Sequence, residues 1–115
     1  MMYDTSVVVE MLRKGVYEPG SIPFITLLEV LRGVKPEKRA KVKSLLEKSF
    51  EIHWLDNKAL EVYCELYDKL KREGEIVPDA DLLIASIAIA RGETLKTRDK
   101  HFKRLAKHGL KLKLV

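Results

Sequence analysis

Four acidic residues stand out for their surroundings: Asp4 in Tyr3-Asp4-Thr5-Ser6, Glu29 in Leu27-Leu28-Glu29-Val30-Leu31, Asp81 in Ala80-Asp81-Leu82-Leu83, and Asp99 in Thr97-Arg98-Asp99. Taken singly, three of them have ordinary explanations. Asp4 and Asp99 suit the caps of the helices that follow them, and carboxylates in a first helical turn, as at Asp79 and Asp81, complement the helix dipole. Glu29 has no such use. It sits in mid-helix among leucines and a valine, where an unpaired carboxylate is costly to bury, so it needs a partner.

Carboxylates gathered in a partly buried cleft raise one another's pKa unless a cation neutralises them. A hard divalent ion meets that need. An oxygen-only set of Asp, Glu, Asp and Asp suits Mg²⁺ or Mn²⁺ and leaves positions for water and a phosphate oxygen. Zinc fits poorly, because His53, His101, His108 and Cys64 show neither ligand spacing nor paired cysteines. Asp79 and Asp81 are two apart on a helix and point to nearly opposite sides, so both cannot ligate one ion; Asp79 is assigned as N-cap and Asp81 as ligand. The chain contains no G-x-S-x-G and no Walker A sequence, and a nucleophilic Ser6, Ser21 or Ser86 would need a histidine base that no local pattern supplies.

The elements that must position these acids follow from periodicity and punctuation. Met1 to Tyr3 reads as a very short strand and Thr5 to Arg13 as a helix ended by Gly15 and Pro19-Gly20. A second helix is expected from about Thr26 to Arg32, and a third from Pro36 to about Ser49 with Ala40, Val42, Leu45 and Leu46 facing inward beneath a basic outer face. Phe50 to Leu55 reads as a strand, and Asp56 as the N-cap of a long helix to Glu73 carrying Leu60, Tyr63, Tyr67 and Leu70 at helical spacing. The helix from Pro78-Asp79 to Arg91 is apolar nearly all round and should be central. Glu93 to Thr97 is a strand, Lys100 to Lys107 a helix, and Lys111 to Val115 an edge strand with alternating leucine and lysine.

Strands alternating with helices predict an α/β fold, a three-layer α/β/α sandwich around a mainly parallel sheet, in one domain spanning residues 1–115. Ligands of such sheets bind beyond the carboxyl ends of the strands, where strand order reverses. Asp4 and Asp99 both lie just past the end of a predicted strand, so acids from opposite ends of the chain are expected at one edge.

Composition bounds the rest. Of 115 residues, 46% are hydrophobic and 34% charged, which fits a folded domain and excludes disordered and fibrous classes. The longest nearly apolar run, Ala80 to Ala90, is too short for a membrane span. The start of the chain lacks the pattern of a secretory signal and Cys64 is the only cysteine, which point to a cytoplasmic protein. A net charge of +5 favours polyanionic partners, although abundant lysine and glutamate with few amides also mark heat-adapted proteins.

Four segments in order, Tyr3-Asp4-Thr5-Ser6-Val7-Val8, Thr26-Leu27-Leu28-Glu29-Val30-Leu31-Arg32-Gly33, Asp79-Ala80-Asp81-Leu82-Leu83-Ile84-Ala85-Ser86 and Leu95-Lys96-Thr97-Arg98-Asp99-Lys100-His101-Phe102, resemble the PIN-domain family, in particular its VapC-type toxins of toxin–antitoxin pairs. The resemblance covers the whole chain. It implies a PIN-like sandwich whose Asp4, Glu29, Asp81 and Asp99 bind one or two Mg²⁺ or Mn²⁺ ions and cleave RNA, with Ser6 and Thr97 orienting ligands and water. It further implies an antitoxin partner. The aromatic and apolar residues Tyr63, Tyr67 and Leu70 are a candidate homodimer contact, although core packing is the more frequent use of that spacing.

Arg98 and Lys100, beside Asp99, are candidates to hold flanking phosphates. The principal expectation is thus a metal-dependent endoribonuclease with RNA as substrate. The competing one is a catalytically silent or antitoxin-bound interaction module on the same fold. A haloacid-type phosphatase fits less well, since Asp4-Thr5-Ser6 lacks the second aspartate two residues on and that chemistry has no use for Glu29.

Overall fold

In the computed structural model, which describes residues 1–115, five short strands form one sheet: β1 (Met2–Tyr3), β2 (Ser21–Pro23), β3 (Glu51–His53), β4 (Leu95–Thr97) and β5 (Leu112–Leu114). Their order is β3-β2-β1-β4-β5 and every pairing is parallel. The helices between them are α1 (Thr5–Lys14), α2 (Phe24–Arg32), α3 (Arg39–Ser49, entered through a 3-10 turn at Pro36–Lys38), α4 (Asn57–Arg72) and α5 (Asp79–Arg91), with a final 3-10 helix at Lys100–His108. No helix is long and apolar enough to cross a membrane.

Alternation along β1 divides the core in two. Met2 points to the face covered by α4, α5 and the final helix, where it joins Leu66, Leu82, Ile87, Leu95 and Phe102. Tyr3 points to the other face, with Val8, Ile22, Leu27, Leu46 and Phe50 under α1, α2 and α3. The three expected layers are therefore present. As its composition implied, α5 is the most deeply set helix, with Ile84, Ala85, Ser86, Ile87 and Ala88 all buried. The single hydroxyl in that run, Ser86 Oγ, donates back to Leu82 O at 2.6 Å and is thereby satisfied.

Three sequence expectations need correction. The segment around Pro19-Gly20, read as a turn leading to α2, contains β2. Two features hid it: the strand has only three residues, and a proline ends it. Gly20 lets it approach, since a Cβ there would stand 2.6 Å from the Met1 carbonyl oxygen and 2.5 Å from the Tyr3 ring. The inward face of α3 is narrower than expected: Leu46 alone is fully buried, whereas Ala40 and Leu45 are exposed at the periphery of the sandwich. On α4, Leu70 belongs to the core and is withdrawn from any partner, while Leu60 and Tyr67, each 49% exposed, lie outside.

A polar knot ties the turn after α5 to the sheet. Glu93 accepts Ser21 Oγ at 3.0 Å and stands 2.5 Å from His53 Nε2. Burial pushes the Glu93 carboxyl up, but the hydrogen bonds from Ser21 and His53 outweigh it and hold the group below its ordinary 4.5. A depressed folded-state pKa means that the fold prefers the carboxylate, so this stabilisation is present above 4.5 and is lost as the pH falls through the folded value. Glu93→Gln is therefore expected to melt below the wild type at neutral pH, and the gap is expected to close in acid. Thermal melts from about pH 7 to about pH 3 check this.

Candidate active site

The strand order reverses at β1. From it the chain runs outward through β2 and β3, then crosses back to β4 on the other side. Met2 pairs with both Ser21 and Leu95, so Asp4 leaves β1 level with the ends of β2 and β4, at the edge where such sheets bind ligands.

Asp4 is 5% exposed and serves as the N-cap of α1, accepting the Val7 N–H at 3.2 Å on Oδ1. The same oxygen accepts the Ser6 hydroxyl at 2.6 Å, and Oδ2 accepts the Thr97 hydroxyl. Thr97 Oγ1 in turn accepts the Asp99 N–H at 3.0 Å, and Ser6 Oγ accepts the Arg98 N–H at 3.2 Å. Two hydroxyls thus bind the start of α1 to the end of β4 and set Asp4 and Asp99 in one frame. Glu29 is held separately: its Oε1 accepts the Thr5 hydroxyl at 2.7 Å. That hydroxyl satisfies one of its two oxygens.

These acids share a pocket of about 210 Å³, lined by Asp4, Thr5, Ser6, Glu29, Asp81 and Asp99 together with Ile84 and Phe102. Asp99 caps the final helix, accepting the His101 N–H at 2.9 Å and lying 2.7 Å from His101 Nδ1. The His101 backbone hydrogen bond, against opposing burial, holds the Asp99 carboxyl below its usual range. Asp81 behaves oppositely. Burial, then the negative charges of Asp99 and Glu29, push its carboxyl up, with Arg104 and His101 pulling the other way.

No three carboxylates are drawn together closely enough to enclose a bare ion. The donor set nevertheless fits Mg²⁺, which gives up its water reluctantly and is commonly held by a few carboxylates with waters between, and the pocket has room for such waters. Burial is the main reason that the Asp81 carboxyl is raised, and the negative charges of Asp99 and Glu29 add to it. Because the fold disfavours its ionised form, stability declines as pH rises from the ordinary 3.8 through the raised folded value. Asp81→Asn is therefore expected to melt above the wild type at neutral pH when a chelator is present, a comparison made by paired thermal melts in EDTA.

The remaining sequence candidates separate. Ser6 and Thr97 both touch Asp4 directly. Asp79 does not reach the pocket. It is the first residue of α5 rather than its cap, a place Pro78 takes without a side-chain hydrogen bond, and its carboxylate accepts Tyr63 Oη of α4 at 3.0 Å. Arg98 turns away to Glu10, 3.3 Å distant, and faces a separate groove of about 530 Å³ beside Lys14 and Lys96. Lys100 is exposed at the start of the final helix. Sequence reasoning overlooked Thr5 and Arg104. The one local signal for Thr5 is a hydroxyl directly after Asp4, and for Arg104 an arginine among lysines.

Against known proteins, residues 1–108 match the family model described as PIN domain. The chain belongs to the PIN-domain family. Ribonuclease VapC1 of Methanocaldococcus jannaschii is 34% identical over 116 aligned positions, covering 97% of this PIN domain and 85% of the relative. Among solved structures, VapBC2 from Rickettsia felis, bound to a DNA fragment from its promoter, superposes with a TM-score of 0.78 at 30% identity, covering 99% of this chain and 97% of that one. VapBC-1 from nontypeable Haemophilus influenzae superposes with a TM-score of 0.81 at 22% identity, covering 98% and 96%. The all-parallel five-stranded sheet is thus the PIN fold that the motifs implied.

Proposed function

We propose that this PIN domain is a metal-dependent endoribonuclease that hydrolyses RNA phosphodiesters at the Asp4, Glu29, Asp81 and Asp99 pocket, and that it is the toxin of a toxin–antitoxin pair. The observation that carries the reading is the convergence of four carboxylates, from the N-caps of α1 and the final helix and from α2 and α5, on one pocket at the reversal of strand order. A relative named ribonuclease supports the chemistry, and structural neighbours that are VapBC complexes support the antitoxin.

Asp4, Glu29, Asp81 and Asp99 would hold Mg²⁺ or Mn²⁺, directly or through water. When bound, the ion supplies a lowered pKa for water and charge neutralisation at the phosphate. The protein supplies preorganisation. Ser6, Val7 and Thr97 lock both oxygens of Asp4, Thr5 locks Glu29, and the His101 N–H locks Asp99, so little rearrangement is left for the moment of reaction. Ile84 and Phe102 present apolar surface to the pocket, which strengthens electrostatic interactions inside it. Lys100 is available to a flanking phosphate, whereas Arg98 takes that role by leaving Glu10.

The direct test is incubation of defined single-stranded RNAs with the protein in Mg²⁺, Mn²⁺ or EDTA. Cleavage with either ion and none in EDTA is expected. Cleavage that persists in EDTA would remove the metal, and an inert protein in every condition would favour the silent interaction module. Coexpression with a cognate antitoxin is expected to yield a complex that no longer cleaves.

A further inference from the structure

The one tryptophan of the chain is spread on the surface instead of buried. Trp54 follows β3 directly and is 58% exposed, stacked on Phe24 with ring centroids 6.0 Å apart and planes 17° apart. Phe24 is the first residue of α2 and is half-buried against the α4–α5 core, so it gives the indole a firm seat. Pro23 and His53 pair across β2 and β3, which puts Phe24 and Trp54 one residue beyond the same carboxyl edge that Asp4 leaves. Two inter-strand steps separate β3 from β1, about 10 Å.

Helix α2 links the platform to the pocket, with Phe24 at its start and Glu29 further along. Leu28, 57% exposed, and Arg32, also exposed, follow Phe24 at intervals of four residues along one face of α2, and Glu29 of the acidic pocket lies alongside. An aromatic plane, an apolar step and a cation thus run past the proposed site of cleavage. Exposed aromatic faces are what unpaired bases stack on, and an arginine nearby suits the connecting phosphate. A paired helix hides its base faces and could not use this surface.

We propose that Trp54, seated on Phe24, stacks an unpaired base within a few nucleotides of the phosphate in the acidic pocket, and so selects single-stranded RNA. The inference rests on the ribonuclease reading and deepens it. Trp54 is also its own reporter, since all tryptophan emission of the protein comes from this position.

The full-length protein in EDTA is titrated with oligouridylate and oligoadenylate of about ten nucleotides, with a duplex RNA of the same length, and with inorganic polyphosphate. Single strands are expected to quench Trp54, and duplex and polyphosphate to leave its emission unchanged. Measured with dye-labelled RNA, Trp54→Ala is expected to bind the single strands about ten-fold more weakly, with Trp54→Phe close to the wild type. In the cleavage assay the alanine variant is expected to raise KM more than it lowers kcat. Should the alanine variant misfold by circular dichroism, Trp54→Tyr and Trp54→Leu replace it, with tyrosine binding and leucine weak. Wild-type binding with unchanged emission, or equal affinity of the Ala and Phe variants, overturns the platform while leaving the ribonuclease standing. Absence of single-strand binding in EDTA overturns the platform, and absence of cleavage in Mg²⁺ and Mn²⁺ as well overturns both. A Trp54 signal that answers a protein partner and not RNA assigns the surface to that partner and likewise overturns the proposal.

Discussion

Asp4→Asn protein is expected to fold and to cleave RNA at least about 10³-fold more slowly than the wild type, a loss in the range caused by removing one preorganised charged group from a catalytic centre. The geometry separates the two effects. Asparagine caps helices about as well as aspartate, so the Val7 N–H keeps an acceptor and α1 keeps its start. The Thr97 hydroxyl fares worse. It already accepts the Asp99 N–H, and opposite an amide it loses the carboxylate to which it donates, which costs about 1–2 kcal/mol. What disappears is the negative charge itself, the quantity that a cation requires. Asp99→Asn is expected to behave alike. Cleavage rates in Mg²⁺ alongside urea denaturation of the same preparations separate lost chemistry from lost fold, and a wild-type rate from either variant would sink the assignment.

Phe102→Ala is expected to destabilise the protein by roughly 3–5 kcal/mol, the range for emptying a buried aromatic position. Phe102 is 2% exposed, packs in the same core as Leu82 and Ile87, and also forms part of the wall of the acidic pocket. It lies in a 3-10 helix, a form with poor intrinsic hydrogen bonding that depends on packing to persist. The helix is anchored by Phe102 and Leu105, and Asp99 is its cap. Losing the ring should therefore loosen Asp99 as well, lowering cleavage even at temperatures where the variant is folded. Urea unfolding gives the first quantity and the rate well below the melting temperature gives the second. Leu60→Ala, at a half-exposed position on α4, is expected to change stability by less than about 1 kcal/mol and serves as the contrast.

Much of this site was legible before any coordinates because its parts are marked locally. Glu29 was conspicuous since a carboxylate among leucines and valine has no local use, and Asp81 was separable from Asp79 because two residues on a helix face opposite ways. The layer architecture followed from alternating strands and helices. The features that escaped were those in which local signals mislead. β2 ends in proline and begins beside glycine, so turn punctuation masked a strand that its neighbours stabilise. Leu70 keeps the spacing of Tyr63 and Tyr67 yet lies in the core, because periodicity identifies a face without saying how much of it the neighbouring helix covers.

By itself the sequence determined which residue types are available and the faces they share within each element: four acids in apolar settings, hydroxyls next to two of them, and an apolar helix destined for the centre. These follow from short-range geometry, the 3.6-residue turn and the two-residue strand repeat. The tertiary structure alone decided who meets whom. It placed Thr97 on Asp4 across 93 positions of chain, paired Thr5 with Glu29, sent Arg98 to Glu10 and Asp79 to Tyr63, and laid Trp54 on Phe24 at the edge that holds the acids. Such contacts depend on strand order and register, which are set by how the whole core closes and leave no mark in any one segment.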